Sequence, residues 1–395
     1  MRRVQRVPGP LGVKYRHLLL GACCAALIPA IGFGTVGPRT VLELPPGPGN
    51  PRNSEGSFAR LGDGRILFAY SKYVGSSRHD DASCVIALRT SSDCGETWSE
   101  DRIVARNSVE TNGNVMSVSF LPLDDRRLAL FYIQKETSAD GTVLSRILMR
   151  ETSDGGETWA EASDCSGTAL PKGYYCLAND RVVRLRSGRV LMPLALDRST
   201  GVVCLCSDDN CRTWKASRTI SAPATEGGKH VLFEEPGLFE RRDGSVVIYI
   251  RTDKGRQWHA VSSDGGETWG PCTPWRFASP RAPMQVVRLR DGRLLAVWND
   301  ISRHPERLEG CPNWTCGPRT PLTLAVSADD GKTWSDGKDL ESSFDASSFL
   351  RHWYCYVAAL DLGDRLLLAY CPGEGLTKLR ITCVPKCWLD EFQKK

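Results

Sequence analysis

Ser91-Ser-Asp93-Cys-Gly95-Glu-Thr97-Trp98 is the stretch that decides the fold, because the same eight-residue pattern returns four more times. The copies begin at Thr152, Ser207, Ser262 and Ser327, and their aspartates are Asp154, Asp209, Asp264 and Asp329. Measured between aspartates, the spacings are 61, 55, 55 and 65 residues. Repeats of that period signal an architecture in which each copy is one supersecondary unit stacked on its neighbours. The residue types suit a tight turn. An Asp side chain accepts hydrogen bonds from its own turn, Gly supplies a positive φ, and Trp packs between neighbouring sheets. The aspartates therefore read as structural.

Outward from these turns a second pattern recurs, a Gly- or Asp-containing turn followed by a β-rich run. It is seen at Asp63-Gly-Arg-Ile-Leu-Phe-Ala-Tyr70, Ser187-Gly-Arg-Val-Leu-Met-Pro193, Asp243-Gly-Ser-Val-Val-Ile-Tyr-Ile250, Asp291-Gly-Arg-Leu-Leu-Ala-Val-Trp298 and Gly363-Asp-Arg-Leu-Leu-Leu-Ala-Tyr370. Asp124-Asp-Arg-Arg-Leu-Ala-Leu-Phe131 is a sixth copy. Such segments read as hairpins joining the first two strands of successive four-stranded units. Six hairpins against five turns predict an all-β fold, a six-bladed β-propeller with Asp-box turns. An N-terminal strand near Val41 to Leu44 would close the last blade.

Composition narrows the function classes. The chain of 395 residues is 41% hydrophobic and 25% charged, enough to bury a large core. Its net charge of +5 is spread without a basic tract, which speaks against a nucleic-acid partner. Arg2, Arg3, Arg6, Lys14 and Arg16 precede an apolar run from Leu18 to Phe33 interrupted by Pro29. Residues 1–39 thus read as a signal peptide or N-terminal anchor, with the propeller over 40–395, and the expectation is a secreted or periplasmic protein, anchored if the leader is retained. Sixteen cysteines fit an oxidising compartment, and the close pairs Cys311/Cys316 and Cys383/Cys387 are candidates for small disulfide loops. The histidines are scattered and no zinc-ligand spacing is complete, so neither metal nor cofactor is expected. Asn313-Trp-Thr is a glycosylation sequon.

Residues just before each hairpin can converge on the propeller axis. Counting back from the turns selects Glu55, Asn179, Glu235 and Tyr354. At this point the sequence resembles the sialidase superfamily over roughly residues 50 to 385. Glu234-Glu-Pro-Gly-Leu-Phe-Glu240 followed by Ile250-Arg-Thr is similar to the segment carrying a catalytic glutamate and an arginine. Arg319-Thr-Pro-Leu-Thr-Leu-Ala-Val-Ser327 is similar to one supplying a second arginine, and Trp353-Tyr-Cys-Tyr-Val357 to the late tyrosine motif.

The resemblance implies an exo-hydrolase that removes a terminal sialic acid, or a related acidic sugar, from a glycan. Its nucleophile would be a tyrosine, Tyr354 with Tyr356 as the alternative, and Glu235 would be the general base. Asp80, or its neighbour Asp81, would be the acid/base on the loop before Cys84. Arg251 and Arg319 would clamp the substrate carboxylate. The family's Arg-Ile-Pro motif is replaced here by Arg52-Asn-Ser-Glu-Gly56, so Arg52 is the candidate substitute, and Lys72 stands where a further arginine is common. Asn179, Asp180 and Arg181 are further pocket candidates. A non-catalytic carbohydrate-binding propeller, or a different glycosidase on the same fold, is the competing reading, because fold alone does not fix function.

Overall fold

The repeated turns fold as their composition dictates. In the first, Ser91 Oγ accepts from Gly95 N at 2.8 Å, Asp93 Oδ1 accepts from Thr97 N at 2.9 Å, and Trp98 Nε1 donates to Gly95 O at 3.1 Å. The turn is closed by its own side chains. Gly95 has φ 87°, and Cys211 takes the equivalent place in the third copy at φ 70°, a conformation that favours glycine.

The computed structural model describes residues 37–107, 114–138, 140–225, 228–303, 318–342 and 353–391. Most of the expected leader, the Cys311/Cys316 pair and the Asn313 sequon lie outside the described residues. The rest is all-β and propeller-like. Three sheets have four strands, one has six and one has eight. The eight-stranded sheet consists of two antiparallel units, Asn53 to Ala105 and Asn114 to Asp164, which meet only through a parallel pairing of Cys84 with Asn114. The expected closing strand is present. Arg39–Leu44 pairs antiparallel with Leu379–Pro385, so the two chain ends share one sheet.

Core side chains lie between sheets rather than within one. Ile133, Ile147, Val190 and Val203 form one such layer; Phe58, Phe68, Leu367 and Ile381 form another, uniting residues from opposite ends of the chain. The box tryptophans join these layers, with Trp98 in T-shaped contact with Phe68 at 5.9 Å. The expected Cys383–Cys387 loop is absent. Both are free thiols, Cys383 buried in its strand and Cys387 exposed on the short helix Lys386–Asp390, and all twelve cysteines among the described residues are free.

Candidate active site

Four innermost strands, Asn53–Arg60, Asn114–Pro122, Glu234–Glu240 and Tyr354–Asp361, carry the same irregularity. Each ladder slips register, between Ser54 and Ser57, Met116 and Ser119, Glu234 and Gly237, and Cys355 and Ala358. Inside each slip one residue has positive φ: Glu55 (54°), Ser117 (58°), Glu235 (40°) and Tyr356 (59°). A bulge re-aims one side chain and costs backbone strain, a pairing common at functional sites. All four side chains line one cavity of about 720 Å³ at this end of the axis. Gly237 completes its bulge by passing Tyr249 so closely that a Cβ would lie 2.3 Å from the ring.

On one side of the cavity the Tyr356 hydroxyl donates to Glu235 Oε1 at 3.3 Å. Glu235 Oε2 accepts from Arg251 Nη1 at 2.5 Å. Arg251 also approaches Glu234 at 3.3 Å, and Glu234 is held in turn by Arg281 and by Ser199 Oγ at 3.0 Å. Arg319 donates to Cys355 Sγ at 3.0 Å and lies over the rings of Trp353 and Tyr356. On the other side, Asp80 Oδ1 accepts from Arg52 Nη1 at 2.5 Å, and Arg52 stacks on Tyr73. Lys135 Nζ binds Asp80 O at 3.1 Å and Asp81 Oδ1 at 3.0 Å, fixing the loop that presents both aspartates. Glu55, between the two sides, accepts from Ser117 Oγ at 3.1 Å.

The electrostatics follow from burial and pairing. Burial, reinforced by the charge of Glu235, pushes the Tyr356 phenol well above its ordinary value. Burial raises Glu55 to about 7. The surrounding protein partly desolvates Asp80, whose side chain is itself exposed, but the Arg52 charge and hydrogen bond outweigh this and hold the carboxyl below the usual range. For Glu234 burial is likewise overcome, by Arg281 and Arg251, and the group sits at about 2.

The sequence-derived candidates fall into two groups. Glu235, Asp80, Asp81, Glu55, Arg251 and Arg319 all line the cavity. Arg52 stands behind Asp80. Tyr354 does not reach the cavity. Its ring packs in the core with Leu368 and against Tyr370 at 6.3 Å, while Tyr356, two residues on, takes the bulge. Lys72 is turned away and paired with Asp101 at 2.5 Å. Asn179 spends its amide on Gly56 O and Tyr356 O, bracing two bulges. Asp180 ties Ser57, Gln285 and Ala359 together on the axis, and Arg181 is buried beyond it. Ser117, Lys135, Arg281 and Ser199 are among the cavity residues that escaped the sequence reading. Ser117 was open to detection, since it precedes the Asp124 hairpin as Glu55 precedes the Asp63 one. Lys135, Arg281 and Ser199 carry no local signal, because they come from later strands and loops.

Sheets bearing Asp-box turns around a cavity with arginines, carboxylates and a bulged tyrosine define this chain as a member of the propeller-like all-β class. The chain belongs to the BNR repeat-like domain family, which matches residues 60–360, and with it to the sialidase superfamily. It is similar to a sialidase of Micromonospora viridifaciens, 26% identical over 328 residues, covering 74% of this chain and 45% of that one. It is also similar to an anhydrosialidase of Macrobdella decora, 26% identical over 251 residues, covering 61% and 31%. The chain thus spans less than half the length of these curated relatives. Among solved structures, the intramolecular trans-sialidase from Ruminococcus gnavus superposes with a TM-score of 0.66 at 15% identity, covering 86% of this chain and 96% of that one. At such identity the likeness speaks for the fold.

Proposed function

We propose that this protein is an exo-α-sialidase that cleaves a terminal sialic acid, or a closely related acidic sugar, from a glycan with retention of configuration. The observation that carries the reading is the Tyr356–Glu235 hydrogen bond, set between Arg251 and Arg319 on one side and Asp80 on the other. In this reading the arginines take the substrate carboxylate, so the anomeric carbon sits over the Tyr356 oxygen. A phenol approaches a carbon bearing a carboxylate with less repulsion than a carboxylate would, and Glu235 relieves it of its proton as it attacks. Asp80, ionised beside Arg52 in the free site, takes up a proton as the substrate binds, gives it to the departing glycosidic oxygen, then takes one from the water that releases the sugar. Tyr356, not Tyr354, is the nucleophile in this account. Asp81, held by Lys135, positions the acid loop.

The same reading counts six blades, taking the two halves of the eight-stranded sheet as separate blades. It places the protein outside the cytoplasm through residues 1–39. The test is the purified protein with a fluorogenic α-sialoside, followed by proton NMR of the first sugar released. Appearance of the α anomer is expected. A cyclic anhydro sugar instead would assign the chain an intramolecular transfer. No turnover of any sialoside would leave the binding propeller as the better reading.

A further inference from the structure

The innermost strands run from the bulges toward their hairpins, so the strand that begins at the candidate active site with Glu235 ends at Glu240 on the opposite end of the axis. A second cavity of about 450 Å³ opens there, and nothing in the proposed hydrolysis uses it. Its lining holds six arginines and only two carboxylates, Asp180 and Glu240.

The arginines are of two kinds. Some are partly compensated. Arg186 pairs with Glu240 at 3.3 Å, and Arg242 and Arg288 share Asp330 at 3.6 and 2.9 Å. The hydrogen bonds of Arg181 and Arg184 go to neutral groups. Arg181, at 2% exposure, donates to the Tyr249 hydroxyl at 2.7 Å, to Met284 O at 2.6 Å and to the Gln285 side chain, and its buried Nε has no partner. Arg184 donates to Gly188 O, Pro122 O and Asn210 Oδ1. Arg241 also lines the cavity, with its Nε buried and unbonded.

A buried guanidinium bonded only to neutral acceptors, as Arg181 is, is costly; the half-buried Arg184 and Arg241 line the cavity beside it, and Arg is the side chain suited to planar or forked oxyanion recognition. The volume lies within the range of small-ligand sites. We infer that this cavity is a second binding site, for a ligand bearing more than one oxyanion group such as a sulfated or phosphorylated sugar. It reads charge at the hairpin end of the axis while the other end holds the candidate chemistry.

The test is calorimetric titration of the full protein with inorganic pyrophosphate and, separately, with a sulfated disaccharide, at low and at physiological salt. Saturable one-to-one binding that weakens with salt is expected for at least one probe, and the stronger of the two names the source. Arg184→Gln and Arg241→Gln, made separately, should each weaken that binding by about tenfold. Turnover of the fluorogenic sialoside should stay unchanged in both. Arg319→Gln should leave probe binding intact. No saturable binding of either probe would overturn the proposal. So would binding that survives both hairpin-end variants but is lost with Arg319→Gln, since the anion would then sit in the first cavity. The binding readouts do not depend on sialidase activity, so the two proposals can fail separately.

Discussion

The Asp-box turns and the inner-strand bulges both recur around the ring, yet the turn aspartates and the bulge carboxylate Glu55 live in opposite worlds. In the turns, Asp93 and Asp264 are exposed and Asp209 partly so, and all three are saturated by donors from their own loop, which pulls each to about 2. At the bulges, Glu55 is buried against a single hydroxyl and rises to about 7. A carboxylate with all its lone pairs answered locally is inert. One held in low dielectric with few donors is poised to exchange a proton. The repeat thus separates holding the ring together from facing its axis.

The largest break in that comparison should come at a bulge. Glu235→Gln removes the proton acceptor beside Tyr356, and kcat on a fluorogenic sialoside should fall by about a thousandfold, the usual scale for losing a general base. Arg319→Lys keeps the charge but loses the fork, so KM should rise by about tenfold or more while kcat changes little. Steady-state kinetics separate the two.

Glu55 sharpens the contrast through stability. Its ordinary value is 4.5 and burial raises it to about 7, so the folded chain keeps a proton that the unfolded chain has already lost. Stability should therefore fall as pH rises from about 4.5 to about 7 and level off above, by up to about 3 kcal/mol. Glu55→Gln should flatten that slope in thermal melts taken across this window. The smallest effect belongs to the turns. Asp93→Ala should lower the melting midpoint slightly and leave kcat where it was, because the turn's bonds are local. A large loss of turnover there would mean that the turns reach the site after all.

How much of this was legible beforehand follows the same division. The turns announce themselves, since each keeps its Asp and Trp at fixed offsets and all but the third keep the Gly, and the hairpins give nearly the whole sheet order. Glu55 and Glu235 were found by counting nine residues back from Gly64 and Gly244. The same count failed in the last sheet. Its turn is tighter: Leu362 N bonds Arg365 O, where Leu61 N bonds Arg65 O in the first. Gly363 follows the turn-opening leucine by one residue and Gly64 by three, so counting from glycine overshoots by two and lands on Tyr354. Counted from the last ladder pair, Arg60 with Ile66 and Asp361 with Leu366, both Glu55 and Tyr356 stand five residues back. The six-stranded sheet resisted for a related reason. Its inner strand is reduced to Val183–Arg184, and the positive φ falls on Asp180, one residue nearer the turn. Lys72 misled because alternation along its strand turns it toward Asp101.

The central claim is that Tyr356 is the nucleophile and Tyr354 a core aromatic, and one paired measurement tests it. Tyr354→Phe and Tyr356→Phe are assayed side by side with the fluorogenic α-sialoside, each with its melting midpoint. The account predicts that Tyr356→Phe loses turnover by about a thousandfold or more with its fold intact, while Tyr354→Phe keeps turnover within several-fold of the wild type. The reverse pattern, or full activity in Tyr356→Phe, would contradict it.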